Sequence, residues 1–370
     1  MKSWCPVLES IKNSQGFQKS YAWLDERFQL SPLVAFAAKK KVPMHAHSVW
    51  YYMGGVAFML IAIQVITGIL LSIYYIPELG SANASILKLT TKVEFGWFIR
   101  SLHSWAANLL IGVVFLHMFS AYFMKAYRPP REITWWTGLI LLVLMMGFGF
   151  TGYLLPWDEV SFFATKIGLD IAGKTPFIGE FLANILRGGP QISQATISRF
   201  FTIHVFVLPL GLMALLGGHL WLVQSLGMSE PESFKKLPAE KKKYEDFFPT
   251  FVLKDVMVWL LFFNLLAAFA TLAPWSLGSE ADPFAAAPDG IKPEWYFLAM
   301  FQFLKLMPST IGPIEGEMVG MAFFALIALI LALVPLWDKG HSAKLSAWAT
   351  RFGVIVILGF VTFTLWGAWS

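Results

Sequence analysis

The sequence predicts an all-α membrane protein with seven transmembrane helices. Three observations carry that prediction. Of the 370 residues, 57% are hydrophobic and only 14% are charged, where a soluble domain carries about 25% charge. Seven segments hold the roughly 20 apolar residues a helix needs to cross a bilayer. Basic residues gather in alternate connections, the asymmetry that orients membrane proteins. The chain has too little polar surface for a water-soluble enzyme. Its net charge of +5 is modest and its lysines flank apolar spans, so a nucleic-acid partner is not expected.

The elements follow in order. Residues 1–48 form a basic arm with Lys2, Lys12, Lys19, Arg27, Lys39, Lys40 and Lys41. The first long apolar run starts near Val49, too late for a cleavable signal peptide. The predicted spans are 49–75, 95–123, 135–155, 200–226, 252–272, 319–337 and 347–369. A shorter apolar stretch, 295–307, reads as a partly buried helix. The connections after the second, fourth and sixth spans share the basic character of the arm, so most of the 28 Lys and Arg lie on one side. The other side holds Glu78, Glu94, Asp158, Glu159, Asp170, Glu180, Glu280, Asp282 and Asp289. The N-terminus is therefore expected in the cytoplasm and the C-terminus across the membrane. Two long connections, 156–199 and 273–318, are rich in Pro and Gly and read as shaped functional loops. Residues 231–251, with several lysines and prolines, form the expected cytoplasmic linker between a four-helix part (49–230) and a three-helix part (252–370).

Four of the seven histidines lie inside spans. Ionisable groups there are costly and usually functional. His103 and His117 are 14 residues apart on the second span; His204 and His219 are 15 apart on the fourth. Fourteen residues rise about 21 Å and return to within about 40° of one helix face. Fifteen leave about 60°, which a kink at Pro209 can absorb. The two spans run in the same direction, so His103 and His204 share the outer level and His117 and His219 the cytoplasmic level. Two bis-histidine pairs at two depths match two stacked haems, with both axial positions of each iron filled; the plain alternative is four histidines hydrogen-bonded between helices. Gly54 and Gly68 on the first span, and Gly138 and Gly152 on the third, repeat the 14-residue step. They either clear space for flat macrocycles or serve ordinary small-residue helix packing. Arg100 and Arg199 precede the outer histidines and either bind haem propionates or snorkel to the interface. The lone cysteine, Cys5, excludes an internal disulfide and any multi-cysteine metal site, and reads as an unpaired thiol.

Over about residues 20–340 the chain resembles the cytochrome b subunit of quinol-oxidising cytochrome bc complexes. The resemblance rests on Gln64-Val65-Ile66-Thr67-Gly68, Arg100-Ser101-Leu102-His103, Gly152-Tyr153-Leu154-Leu155-Pro156-Trp157, Arg199-Phe200-Phe201 with His204 to Pro209, and Pro293-Glu294-Trp295-Tyr296. The 15-residue histidine step, Ala281-Asp282-Pro283-Phe284-Ala285 and Phe301-Gln302-Phe303-Leu304 are similar to the split, chloroplast-type branch, here fused in one chain. That branch's extra haem hangs on a cysteine where Tyr52 stands, so a third haem is not expected.

The resemblance implies a first four-helix bundle holding two non-covalent b-type haems. His103 and His204 would bind the outer haem iron, His117 and His219 the cytoplasmic one. It implies bifurcated quinol oxidation outside, electron transfer across the membrane, quinone reduction inside and proton translocation. Glu294 would accept a quinol proton, since a carboxyl in an apolar pocket has a raised pKa; its position after Pro293 also suits helix capping. Tyr153 and Tyr296 are hydrogen-bonding candidates, or interfacial tyrosines. Pro156, Trp157, Pro293 and Trp295 would frame the outer quinone site. Gln224 stands where mitochondrial relatives place a histidine at the cytoplasmic quinone site, with Glu245 and Asp246 nearby. Implied partners are a Rieske-type iron–sulfur protein, a c-type cytochrome and the lipid bilayer, in a homodimeric complex of a bacterial cytoplasmic membrane. Rival readings are a dihaem membrane anchor of a dehydrogenase, which leaves Pro293–Tyr296 unexplained, and a seven-helix transporter without haem.

Overall fold

The computed structural model describes residue 10 and residues 13–370; Lys2, Cys5 and Lys12 lie outside the described residues. The helices are α1 (Gln15–Phe28), α2 (Leu30–Ala38), α3 (Tyr52–Ser72), α4 (Ala82–Lys92), α5 (Gly96–Phe123), α6 (Glu132–Leu154), α7 (Glu159–Gly173), α8 (Gly179–Arg187), α9 (Gln194–Leu226), α10 (Val252–Leu272), α11 (Trp295–Lys305), α12 (Gly316–Trp337) and α13 (Ala343–Trp369). Seven of them, α3, α5, α6, α9, α10, α12 and α13, are long and apolar enough to span a membrane. They coincide with the seven predicted spans, differing by a few residues at the ends. Helices this apolar on every side suit a surround of lipid and neighbouring helices, and large apolar side chains such as Ile66, Val143, Leu210 and Leu272 point outward.

Packing builds one bundle. α3 lies along α5, α6 along α9, and α5 beside α6. Of the last three spans, α10 packs on α3 and α5, α12 on α6, and α13 on α5. The central core is Val56, Leu60, Ala106, Leu110, Leu141, Met145, Leu212, Leu266, Ala270 and Tyr296.

The long connections fold as expected of shaped loops. After α6, Asp158 opens α7 with a capping box to Ser161, satisfying amide groups a helix start leaves bare. α8 closes on Gly188 at φ 80°, a left-handed conformation glycine adopts without a Cβ clash. The 273–281 segment is stitched to the start of α7: the Glu159 amide donates to Ser279 O (2.9 Å), the Ala281 amide to Trp157 O (3.1 Å), and Asn83 Nδ2 to Pro156 O and Gly278 O. The stretch at 295–307 is α11, whose first turn projects into this loop cluster. At the arm end, strand β1 (Lys41–Pro43) pairs antiparallel with β2 (Tyr244–Asp246), holding the arm to the 231–251 connection. A small hairpin, β3 (Thr310–Ile311) with β4 (Ile314–Glu315), leads into α12.

Candidate functional site

Each of the four intramembrane histidines meets a glycine on the adjacent helix. A Cβ built on Gly68 would lie 3.4 Å from His103 Cε1, one on Gly54 3.2 Å from His117 Cε1, one on Gly138 3.3 Å from His219 Cε1, and one on Gly152 2.6 Å from His204 Cε1. The glycines of α3 thus serve α5, and those of α6 serve α9. His103 and His204 face each other with ring centroids 6.4 Å apart. His117 and His219 face their glycines, Gly54 and Gly138, at the other level.

Helix geometry explains the unequal spacing. The fourth span carries a π turn at Ile203–Val207, in which the Leu208 amide reaches back to Ile203 O. A π turn accommodates one extra residue. It takes up the fifteenth residue just before Pro209, which has no amide to donate. The expected kink is therefore a register insertion, and His204 sits inside it.

Three threonines, missed in the sequence reading, orient the rings. Thr67 Oγ1 lies 2.8 Å from His103 Nδ1, Thr137 Oγ1 2.9 Å from His219 Nδ1, and Thr151 Oγ1 3.1 Å from His204 Nδ1. Each hydroxyl donates to the carbonyl a turn earlier, at Ile63, Ile133 and Gly147. Its lone pair then accepts from the imidazole Nδ1–H, which leaves Nε2 bare as a ligand nitrogen. Each threonine immediately precedes its glycine, so the sequence signal was a repeated Thr-Gly. At Gly54 the preceding residue is Met53, and His117 Nδ1 is buried with no hydrogen-bond partner among the described residues.

The arginines are engaged by backbone. Arg100 is buried and donates to Trp275 O (2.7 Å) and Ser276 O (3.0 Å). Arg199 Nη1 donates to the carbonyls of Asn184 and Ile185.

A cavity of about 320 Å³ opens between α6, α7, α8, α11 and α12. Tyr153, Glu294 and Tyr296 line it together with Pro293, and its other walls are mostly apolar. Glu294 occupies the N-cap position of α11, yet its carboxylate makes no capping bond. Burial raises its pKa above the usual carboxylate range, and the neighbouring Trp295 amide offsets only part of that. Burial also raises the Tyr296 hydroxyl, with the Glu294 charge adding to it. Pro156, Trp157 and Trp295, expected to frame the site with Pro293, are not among the residues that line the cavity. Trp157 is buried at φ 49°, and the Trp295 indole donates to Asn108 Oδ1 at 2.9 Å.

At the arm end, Lys40 Nζ donates to the Gln224 carbonyl (2.8 Å) and also contacts its side-chain oxygen. Glu245 pairs with Lys254 and Asp246 with Lys41. A further acid at this end is Asp255, also missed from sequence. Its carboxylate fills the space a Cβ on Gly55 would need, and its Oδ1 is buried without a hydrogen bond. Tyr52 stacks on Phe251, ring centroids 4.9 Å apart.

Comparison with known proteins agrees with this architecture. A family model described as cytochrome b/b6/petB matches residues 38–227, and one described as cytochrome b (C-terminal)/b6/petD matches residues 280–370. A cytochrome bc complex cytochrome b subunit from Chlorobaculum thiosulfatiphilum is 46% identical over 337 residues, covering 90% of this chain and 77% of that protein. The menaquinol:cytochrome c reductase cytochrome b subunit of Bacillus subtilis is 41% identical over 220 residues, 58% of this chain and 98% of that one. A solved structure titled hyperthermophilic respiratory Complex III superposes with a TM-score of 0.77 at 25% identity, covering 93% of this chain and 98% of the other.

Proposed function

The chain belongs to the cytochrome b/b6 family, and on that premise we propose that it is the two-haem, quinol-oxidising subunit of a bc-type quinol:cytochrome c oxidoreductase. It is an integral membrane protein of electron transport. In the proposed orientation the arm end faces the cytoplasm and the cavity lies toward the outer face, consistent with the basic residues of the arm-side connections.

The observation that carries the reading is the convergence of Tyr153, Glu294 and Tyr296 on one apolar cavity. A quinol is a flat apolar ring with two hydroxyls, and such a cavity with a few convergent polar groups suits it. The histidine pairs support haem binding on two grounds. The glycine opposite each ring has no side chain to collide with it, and the threonine-held Nδ1 of His103, His204 and His219 leaves each of those Nε2 atoms available. His103 with His204, and His117 with His219, would hold the two haems, with Arg100 and Arg199 near the outer propionates. When bound, the haems supply one-electron carriers at two depths of the membrane, which is what lets the two electrons of a quinol take separate routes.

The chain's own residues do the proton chemistry. Glu294, in its carboxylate form, takes a proton from a quinol hydroxyl. Tyr153 and Tyr296 orient the ring oxygens. The stitched loops around Pro156 and Trp157 hold the α11 start in place and exclude water. At the arm end, Asp255 supplies the proton uptake that quinone reduction requires. A Rieske-type iron–sulfur protein and a c-type cytochrome accept the electrons leaving outward, in a homodimeric complex. The Bacillus relative is named for menaquinol, and we propose a menaquinol-type substrate here.

Glu294→Gln tests the reading. Quinol oxidation should slow by about 10²- to 10⁴-fold, the usual worth of a positioned base, with both haems retained. The sign in pH follows from the raised pKa. The acceptor form is the carboxylate, so the wild-type rate falls as pH drops through a pKa above the ordinary carboxylate value, and the Gln variant loses that acid limb. Full turnover in the variant would refute the role.

A further inference from the structure

Among the cavity walls, α7 contributes Ala164, Thr165, Ile167, Gly168, Ile171 and Ala172. Thr165 is the one polar side chain of that wall. It is 1% exposed, and its hydroxyl finds no hydrogen-bond partner among the described residues.

That state is unusual for this molecule. Helical threonines ordinarily bond back to the carbonyl three or four residues earlier. Thr67, Thr90, Thr151, Thr202, Thr271 and Thr350 all do so. Thr165 sits in the second turn of α7, where the Ser161 carbonyl stands a turn behind it, and does not. Thr134 and Thr364 share the unpaired state, but neither lines this cavity. A buried hydroxyl without a partner is destabilising. A partner supplied by the cavity's occupant removes that cost on binding.

We propose that Thr165 is a substrate-binding residue that hydrogen-bonds a ring oxygen of the quinol. The inference rests on the reading of the cavity as the quinol-oxidising site and adds a second recognition point to it. Glu294 enters from the start of α11 and Thr165 from α7, so the two contact the substrate from different elements. The hydroxyl can accept from a quinol O–H or donate to a quinone carbonyl. The polar pairing discriminates against a ring lacking that oxygen, because the threonine would be left unpaired.

The test uses the purified complex with a short-chain soluble quinol as the probe. Thr165→Val is close to isosteric and removes only the hydroxyl. The expected result is a KM raised about three- to tenfold, the worth of one neutral hydrogen bond, with unchanged haem content. Thr165→Ser should restore a KM within about twofold of wild type on the same basis. The thermal midpoint of the Val variant should equal or exceed that of wild type, since the exchange relieves an unpaired buried group; a hydroxyl with a structural role would lower it. A wild-type KM in the Val variant, or a lowered midpoint, overturns the proposal. If the Val variant fails to assemble, a structural role is indicated and the proposal falls unless Thr165→Ala assembles with the raised KM. Glu294→Gln is measured alongside. Full turnover there rejects the cavity as the oxidation site. A slowed Glu294→Gln beside a silent Thr165→Val rejects the threonine alone.

Discussion

At the scale of the residue, the four histidines are distinguished by what holds their Nδ1. Three have a threonine, and His117 has Met53 in the corresponding place. An acceptor on Nδ1–H makes an imidazole a stronger donor to iron and favours the oxidised metal, since hydrogen bonding around the ligand is one of the levers on haem potential. Met53→Thr completes a fourth Thr-Gly pair. A redox titration should then show the midpoint of the haem held by His117 moving downward, with the other haem unmoved. Equal movement of both, or none, would mean that the hydroxyls only orient the rings. The histidines and glycines were legible in the sequence because three of their four pairs repeat a 14-residue step along a helix and the fourth exceeds it by one. The threonines were not, because a hydroxyl beside a glycine looks like ordinary packing until the facing ring is known. Asp255 was hidden differently: it stands inside an apolar run, and only the approach of α3 shows that its carboxylate is buried.

At the scale of the element, the sequence predicts seven spans, and the structure has seven at matching positions. Composition suffices for this because a bilayer admits only helices that satisfy their own backbone. The fourth span shows what composition misses. Its 15-residue histidine step predicted a kink at Pro209, and the structure answers with a π turn that absorbs one residue. The distinction is testable by changing chain length. Deleting Phe206, which points outward from the turn, should convert it to α-helix with a 14-residue step and leave both haems bound. Inserting one alanine after Leu215 instead turns His219 by about 100° and should remove the arm-side haem alone. Haem extraction with optical titration reads both outcomes. Loss of both haems in the deletion variant would mean that the π turn has a further task at His204.

At the scale of the whole molecule, the question is how the last three spans stay on the first four. The loop cluster around Asn83 joins them at the cavity end. At the arm end the joint is a buried charge cluster. Asp338 is almost completely buried and accepts from Tyr127 and from Arg128 Nη2 at 2.8 Å, with Lys125 Nζ 3.5 Å away. Arg128 also reaches Glu232 and Ser346. Two indoles add to it, Trp135 donating to Leu331 O and Trp136 to Ala332 O. Burial would raise the Asp338 carboxyl, but Tyr127, Arg128 and Lys125 outweigh it and hold the pKa below the usual range. A depressed carboxyl contributes its stability above the unfolded-state pKa and loses it as pH falls through the folded value. Near neutrality the joint is therefore fully formed. Asp338→Asn leaves Arg128 and Lys125 facing a neutral group in a buried site, and breaking such a cluster costs about 3–5 kcal/mol. The variant should release the C-terminal part on limited proteolysis of residues 231–243 and detergent gel filtration, while the wild-type fragments stay together. The haems proposed above, whose histidines all lie on α5 and α9, should remain bound to the N-terminal fragment. Co-elution of the two variant fragments would place the joint instead in the apolar contacts of α10 and α13 with α5.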